Sequence, residues 1–297
     1  MKQLRFKKLD AFATASSGGN PAGMITVDSF AEIRAAEMQQ IARELRGFVN
    51  EVGFVCRLDA DRFALRYYSA EKEVLFCGHA TIAILYDLLT TTPEFGDLPL
   101  VHIETAAGNL VAENRIKEEQ AVFISSPAPV FSDQNIESEQ IASALQIDPS
   151  AISRPLPTAR INAGLETLLV PITDLESTLS IQPDEQQLKH FCEIHGIDII
   201  TIFTEETALK DAGWRSRVFA PRFGYLEDPA TGSGNSALGH YLLRHRLWLG
   251  KILKIEQNSE HNRPNIVKLM SKGEEVPIRV LFGGAAIRRI EGWYFLQ

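Results

Sequence analysis

The feature that most constrains the fold of this 297-residue chain is an internal echo. Cys77-Gly78-His79-Ala80-Thr81 and Thr231-Gly232-Ser233-Gly234-Asn235 each open a run that reads as a strong helix, 154 positions apart. At that offset Gly78 meets Gly232, Ala83 meets Ala237, and Leu88-Leu89 meet Leu242-Leu243. A strand-like run precedes each helix, at 63–68 and at 217–220. Two similar αβ halves follow from this reading. A chance match between small-residue helix starts is the competing explanation.

The rest of the chain fits two halves. Strand-length apolar runs fall at 4–9, 51–58, 63–68, 102–104, 110–113 and 122–124, with helical periodicity at 30–45 and 81–89. Ser125-Ser126-Pro127-Ala128-Pro129 then breaks the pattern and reads as a linker, because proline cannot donate in a central strand. Beyond it the alternation restarts. Helices are expected at 137–145, 184–195 and 236–247, and strands at 168–171, 198–204, 217–220, 252–257, 266–270, 278–282 and 293–296.

Composition excludes several classes. With 45% hydrophobic and 23% charged residues the chain is an ordinary globular one. A formal charge of −8 argues against nonspecific nucleic-acid binding, which needs a basic footprint. No stretch approaches the ~20 apolar residues of a membrane span. The charged N-terminus lacks the apolar core of a signal peptide, so a cytoplasmic location is expected. Cys56, Cys77 and Cys192 are too few and too scattered for a disulfide framework or a zinc pattern, so no metal is expected.

Several residues could carry chemistry, and each has a bland alternative. Helix starts expose unpaired N–H groups and a partial positive charge, so the Gly78 and Gly232 turns suit a carboxylate or phosphate. The glycines could equally serve close helix packing. Gly232-Ser-Gly-Asn-Ser fails as a dinucleotide fingerprint, because residues 225–230 read as a turn and not as a buried strand. Glu51 enters an apolar run, where burial would raise its pKa and make it a general base. It could instead face solvent at a strand edge. His79, in a first helical turn, is expected neutral, or is a structural histidine. Asp228 before Pro229 is a turn or cap residue, or a functional carboxylate. Cys77 at a helix start is a candidate thiolate. Its echo partner is Thr231, which disfavours a two-thiol racemase.

Asp10-Ala-Phe, Gly19-Asn-Pro-Ala-Gly-Met, Ile41-Ala-Arg-Glu-Leu, Asn50-Glu51, Phe76-Cys-Gly-His-Ala-Thr, Glu104-Thr-Ala-Ala-Gly, Glu227-Asp-Pro-Ala-Thr-Gly-Ser-Gly-Asn, Ile255-Glu-Gln and Arg263-Pro264 occur in this order. In these segments the chain resembles the PhzF-type isomerases of phenazine biosynthesis, relatives of diaminopimelate epimerase. The resemblance implies an α+β, diaminopimelate epimerase-like fold. Each half would be a mostly antiparallel sheet or barrel around a central helix. The halves would be residues 1–125, completed by 283–297, and residues 130–282, with the active site between them.

The resemblance also implies an isomerase that needs no cofactor and no metal and moves a proton by general acid/base catalysis on a small carboxylate-bearing substrate. Glu51 would move the proton, with His79 and Asp228 beside it. Asn20, Gly78, Thr231, Gly232 and Ser233 would bind substrate. A homodimer is implied, with no nucleic-acid or membrane partner. An amino-acid epimerase or racemase, or a non-catalytic protein that binds a small ligand, are the alternatives. Gly47-Phe48-Val49-Asn50 replaces the polar run usual before the catalytic glutamate, and Gln257-Asn258 replaces the family's Gln-Gly turn. Both departures leave the substrate open.

Overall fold

A computed structural model describes residues 1–272 and 278–297. The chain forms two compact units, residues 1–125 with 283–297, and residues 126–282.

The units share one strand topology. In the first, Ala286–Leu296 pairs antiparallel with Lys2–Ala11, which pairs antiparallel with Asn20–Thr26. Asn20–Thr26 runs parallel to Glu51–Arg57, which is antiparallel to Arg62–Ser69. Arg62–Ser69 then runs parallel to Leu100–Thr105, which is antiparallel to Gly108–Arg115. In the second unit Val130–Ser132, Ala159–Asn162, Glu166–Pro171, Ile199–Thr204, Trp214–Phe219, Leu253–Gln257 and Asn265–Lys272 repeat the same succession of antiparallel and parallel pairings. Even the two-residue strands Glu73–Val74 and Glu227–Asp228 correspond, each pairing antiparallel with its unit's fifth strand.

Parallel neighbours need a crossover, and helices supply it. Ala35–Glu44 fills the first crossover of the first unit, and Glu185–His195 that of the second. The second crossovers are the helices Gly78–Thr91 and Gly232–Arg244, the two echo helices. Both are largely buried: Gly78–Thr91 is strongly apolar, whereas Gly232–Arg244 buries Asn235, Ser236 and His240 beside Ala237, Leu238 and Leu242. Gly78–Thr91 packs against the strands 2–11, 20–26, 51–57, 121–125 and 286–296. Gly232–Arg244 packs against 159–162, 166–171, 199–204 and 265–272. A mostly antiparallel sheet around a central helix is therefore the plan of each unit. The fit is close at Gly53, where a Cβ would stand 2.3 Å from Ile84 Cδ1 of the central helix and would require that methyl to move.

Three local expectations need correction. Residues 30–45 are not one helix. A 3-10 turn at Phe30–Glu32 gives way to an extended Ile33 before Ala35–Glu44 begins. The Glu37 carboxylate accepts the Arg34 N–H at 2.8 Å, which caps the helix at that point. The second echo helix covers Gly232–Arg244 and not 236–247. Residues 225–230 are not wholly a turn, since Glu227–Asp228 is a short strand with Asp228 buried. A short helix at Leu175–Ser180, capped by Asp174, was not expected. Among the described residues no helix is long and apolar enough to cross a membrane.

Candidate active site

In the first unit three chemical groups converge. Glu51 opens its strand, paired with Ala22 on one side and Ser69 on the other. Cys77 is the N-cap of the central helix and His79 lies in its first turn. Glu51 Oε2 is 3.3 Å from His79 Nε2, and Cys77 Sγ is 3.4 Å from His79 Nδ1. Both side chains of the Glu51–His79 pair are largely enclosed, at 18% and 12% exposure. Glu51 is therefore not a solvent-facing edge residue. Burial pushes the His79 imidazole down to about 4, against the opposing pull of a hydrogen bond to the Pro21 backbone. The imidazole is thus neutral at physiological pH, as expected, with burial as the leading cause.

The loop before this site is pinned to it. Asn50 donates its side-chain N–H to Asn20 Oδ1 at 2.9 Å and its backbone N–H to Pro21 O at 3.1 Å. Asn20 itself is buried. Behind the helix start, buried Tyr67 and Thr81 share a 2.6 Å hydrogen bond, and Thr81 Oγ1 donates to the N-cap carbonyl of Cys77. The N–H groups of Gly78, His79 and Ala80 meet no acceptor among the described residues. That leaves a neutral imidazole, a carboxylate, a thiol and free helical donors at one place.

The second unit builds its helix start differently. The Thr231 hydroxyl donates to Asp228 Oδ2 at 2.7 Å. Gln257, fully buried, ties the turn together. Its Oε1 accepts from the Thr231 N–H and from Asn235 Nδ2, at 2.8 and 2.7 Å. Its Nε2 donates to the Asp228 carbonyl at 2.8 Å. Asn235 also donates to the N-cap carbonyl of Thr231, as Thr81 does to Cys77. The Thr231 hydroxyl and N–H are thus both hydrogen-bonded within the unit, the hydroxyl to the Asp228 carboxylate. Arg217 grips Glu227, the neighbour of Asp228, through two bonds of 3.0 and 2.9 Å.

Gly232 serves packing as well as the helix start, since a Cβ there would lie 2.2 Å from the Phe282 ring. The N–H groups of Gly232, Ser233 and Gly234 meet no acceptor among the described residues. Ser233 stands at the position equivalent to His79. Gln257, Asn235 and Arg217 were missed as positioning residues. A buried strand reading Leu253-Lys-Ile-Glu-Gln, with two adjacent polar residues at its end, was the available signal.

Comparison with known proteins places this duplicated α+β fold among isomerases and epimerases. The chain belongs to the PhzC-PhzF family of phenazine biosynthesis-like proteins, whose model matches residues 9–292. It is 28% identical over 293 residues to the uncharacterized isomerase YfhB of Bacillus subtilis, covering 97% of each chain. It is also 28% identical over 272 residues to the trans-2,3-dihydro-3-hydroxyanthranilate isomerase of Pseudomonas chlororaphis, covering 89% of each. The crystal structure of a PhzF-family protein from Bacillus anthracis superposes with a TM-score of 0.87 at 25% identity, over 99% of this chain and 100% of that one. A hydroxyproline epimerase from Agrobacterium vitis shares the fold, with a TM-score of 0.60 at 13% identity, over 99% of this chain and 91% of that one. The chain is thereby an enzyme of the isomerase class.

Proposed function

We propose that the enzyme isomerises a small carboxylate-bearing substrate by moving one proton, with Glu51 as base and then acid. The observation that supports this best is the Glu51–His79 pair at 3.3 Å beside the free N–H groups of Gly78–Ala80. In the proposed cycle the Glu51 carboxylate removes a proton from a carbon α or vinylogous to the substrate's carboxylate or carbonyl. The electron pair moves into the conjugated system and negative charge develops on oxygen. Helical N–H donors aimed at that charge stabilise it without reorganising. Protonated Glu51 returns the proton to a different carbon, so the atoms balance and no cofactor is consumed. Neutral His79 donates or accepts a hydrogen bond and holds Glu51 in place.

Asp228, held by Thr231, and the helix start at Gly232–Ser233 are proposed to act on the same substrate, with Asn20 fixing the loop beside Glu51. The Pseudomonas relative is named for an unsaturated cyclic amino acid with a carboxylate. A substrate of that kind, with a conjugated carbon acid near the anion, is the class proposed here.

The two-thiol epimerase reading is not favoured. The position equivalent to Cys77 is Thr231, whose hydroxyl is committed to Asp228. Deuterium incorporation in heavy water, followed by NMR on trans-2,3-dihydro-3-hydroxyanthranilate and a panel of unsaturated cyclic carboxylates, tests the proposal. Label entering a carbon of any bound compound supports an isomerase. Binding without label throughout the panel would support a non-catalytic ligand-binding protein instead.

A further inference from the structure

The arrangement of Cys77, His79 and Glu51 carries more than proton transfer requires. We propose that these three side chains form a binding site for a zinc-class divalent cation whose occupation takes Glu51 out of use as a base. Their ligating atoms all lie within 4.8 Å of one another. Sγ of Cys77 is 3.9 Å from Nε2 of His79, and that nitrogen is 3.3 Å from Oε2 of Glu51. A tetrahedral zinc ion with its usual bond lengths sets sulfur and nitrogen about 3.5 Å apart, and nitrogen and oxygen about 3.4 Å apart. The two edges at Nε2 depart from those by a few tenths of an ångström, but the three ligand atoms span up to 4.8 Å and Sγ lies nearer Nδ1, at 3.4 Å, so the Cys77 and His79 side chains must turn about their torsions to share one ion at Nε2.

The donor set selects the ion. Thiolate with imidazole favours zinc and its neighbours over magnesium or calcium, which take oxygen ligands. Three protein ligands leave the fourth position open to water or an anion. Two ligands come from one helix start and the third from the first residue of a strand, so the elements bearing them are fixed before the ion arrives. The partial positive charge of the helix start opposes a cation, but it is about half a unit. A thiolate and a carboxylate together supply two full negative charges.

The inference adds a ligand to the site and does not need the isomerase reading for binding itself. Only the inhibitory consequence rests on Glu51 being the base. Retention of the ion is read without substrate, so the two ideas fail separately. The test uses the full chain with Zn²⁺ in equilibrium dialysis and Co²⁺ in absorption spectroscopy. The expected result is one ion per chain and a thiolate-to-cobalt charge-transfer band in the near ultraviolet. Cys77→Ser should remove the band and weaken zinc binding at least tenfold, and His79→Gln should weaken zinc binding comparably as a second, independent variant. Cys56→Ser and Cys192→Ser, at buried cysteines elsewhere, should change neither. Added zinc should also suppress turnover in a way that a chelator reverses. Failure to retain zinc at micromolar concentration, or retention unaffected by Cys77→Ser, would overturn the site. Zinc bound through Cys77 with turnover intact would overturn its inhibitory role.

Discussion

Cys77 and Thr231 hold the same backbone position in the two units. Each is the N-cap of its central helix, with φ −134° and ψ 108° at Cys77 and φ −127° and ψ 113° at Thr231. Around that shared geometry the side chains diverge. Cys77 faces His79, whereas Thr231 donates to Asp228. The duplicated scaffold thus presents two helix starts of equal shape and different chemistry. Cys77→Ala should accordingly lower turnover by much less than Glu51→Gln, since no second thiol stands at the matching place. Steady-state rates of the two variants side by side check this.

Gln257 joins four groups of the second helix start. Replacing it by alanine strands the Thr231 N–H and weakens the hold on Asn235 in a fully buried setting. Each buried unsatisfied polar group costs about 1–3 kcal/mol, so Gln257→Ala should lose roughly 2–4 kcal/mol in urea unfolding. Turnover should also fall, because Asp228 loses its backbone anchor. A stability loss well under ~1 kcal/mol would mean that the network is not supporting the turn.

Gly232 has no room for a side chain. Gly232→Ala places a methyl against the Phe282 ring and should destabilise by about 1–3 kcal/mol, the usual range for overpacking. Phe282→Leu should relieve that clash, so the double variant should be more stable than the sum of the single losses implies. Strict additivity in thermal unfolding would contradict the proposed contact.

Burial pushes the His240 imidazole down to about 4, in a site where its Nε2 lies 3.3 Å from Ser126 Oγ. The unfolded chain, with an ordinary histidine near ~6.5, binds this proton first as the pH falls. The stability contribution is therefore complete above about pH 6.5 and is lost between there and about pH 4, on the order of 3 kcal/mol. His240→Asn should flatten that part of the stability–pH curve. An unchanged slope would mean that His240 titrates normally in the folded state.

Much of this was legible in the sequence, for identifiable reasons. The apolar run after Gly78 could only be a buried helix, and the Ser/Pro stretch at 125–129 falls at the break between the units. Gly232-Ser-Gly-Asn reads locally as a turn, and the helix expected at 236–247 therefore began four residues late. Only the tight approach of Phe282 explains why glycine opens that helix. Taken alone, Glu51 reads as a solvent-facing residue at a strand edge, because nothing local announces that His79, 28 positions on, folds against it. Buried polar hubs such as Gln257 and Arg215, which is fully buried against Glu256, look like surface residues in a strand pattern. Their partners are brought together only by the sheet.

The central claim is that Glu51 carries the proton. Glu51→Gln keeps the size and hydrogen-bonding reach of the side chain and removes its basicity. For any carbon acid that the wild-type enzyme labels in heavy water, the variant should bind the compound with similar affinity. Deuterium should enter it more slowly by about 10²–10⁴-fold. Labelling at the wild-type rate in Glu51→Gln, with loss of labelling in Cys77→Ala, would contradict the account and make the thiol the proton carrier.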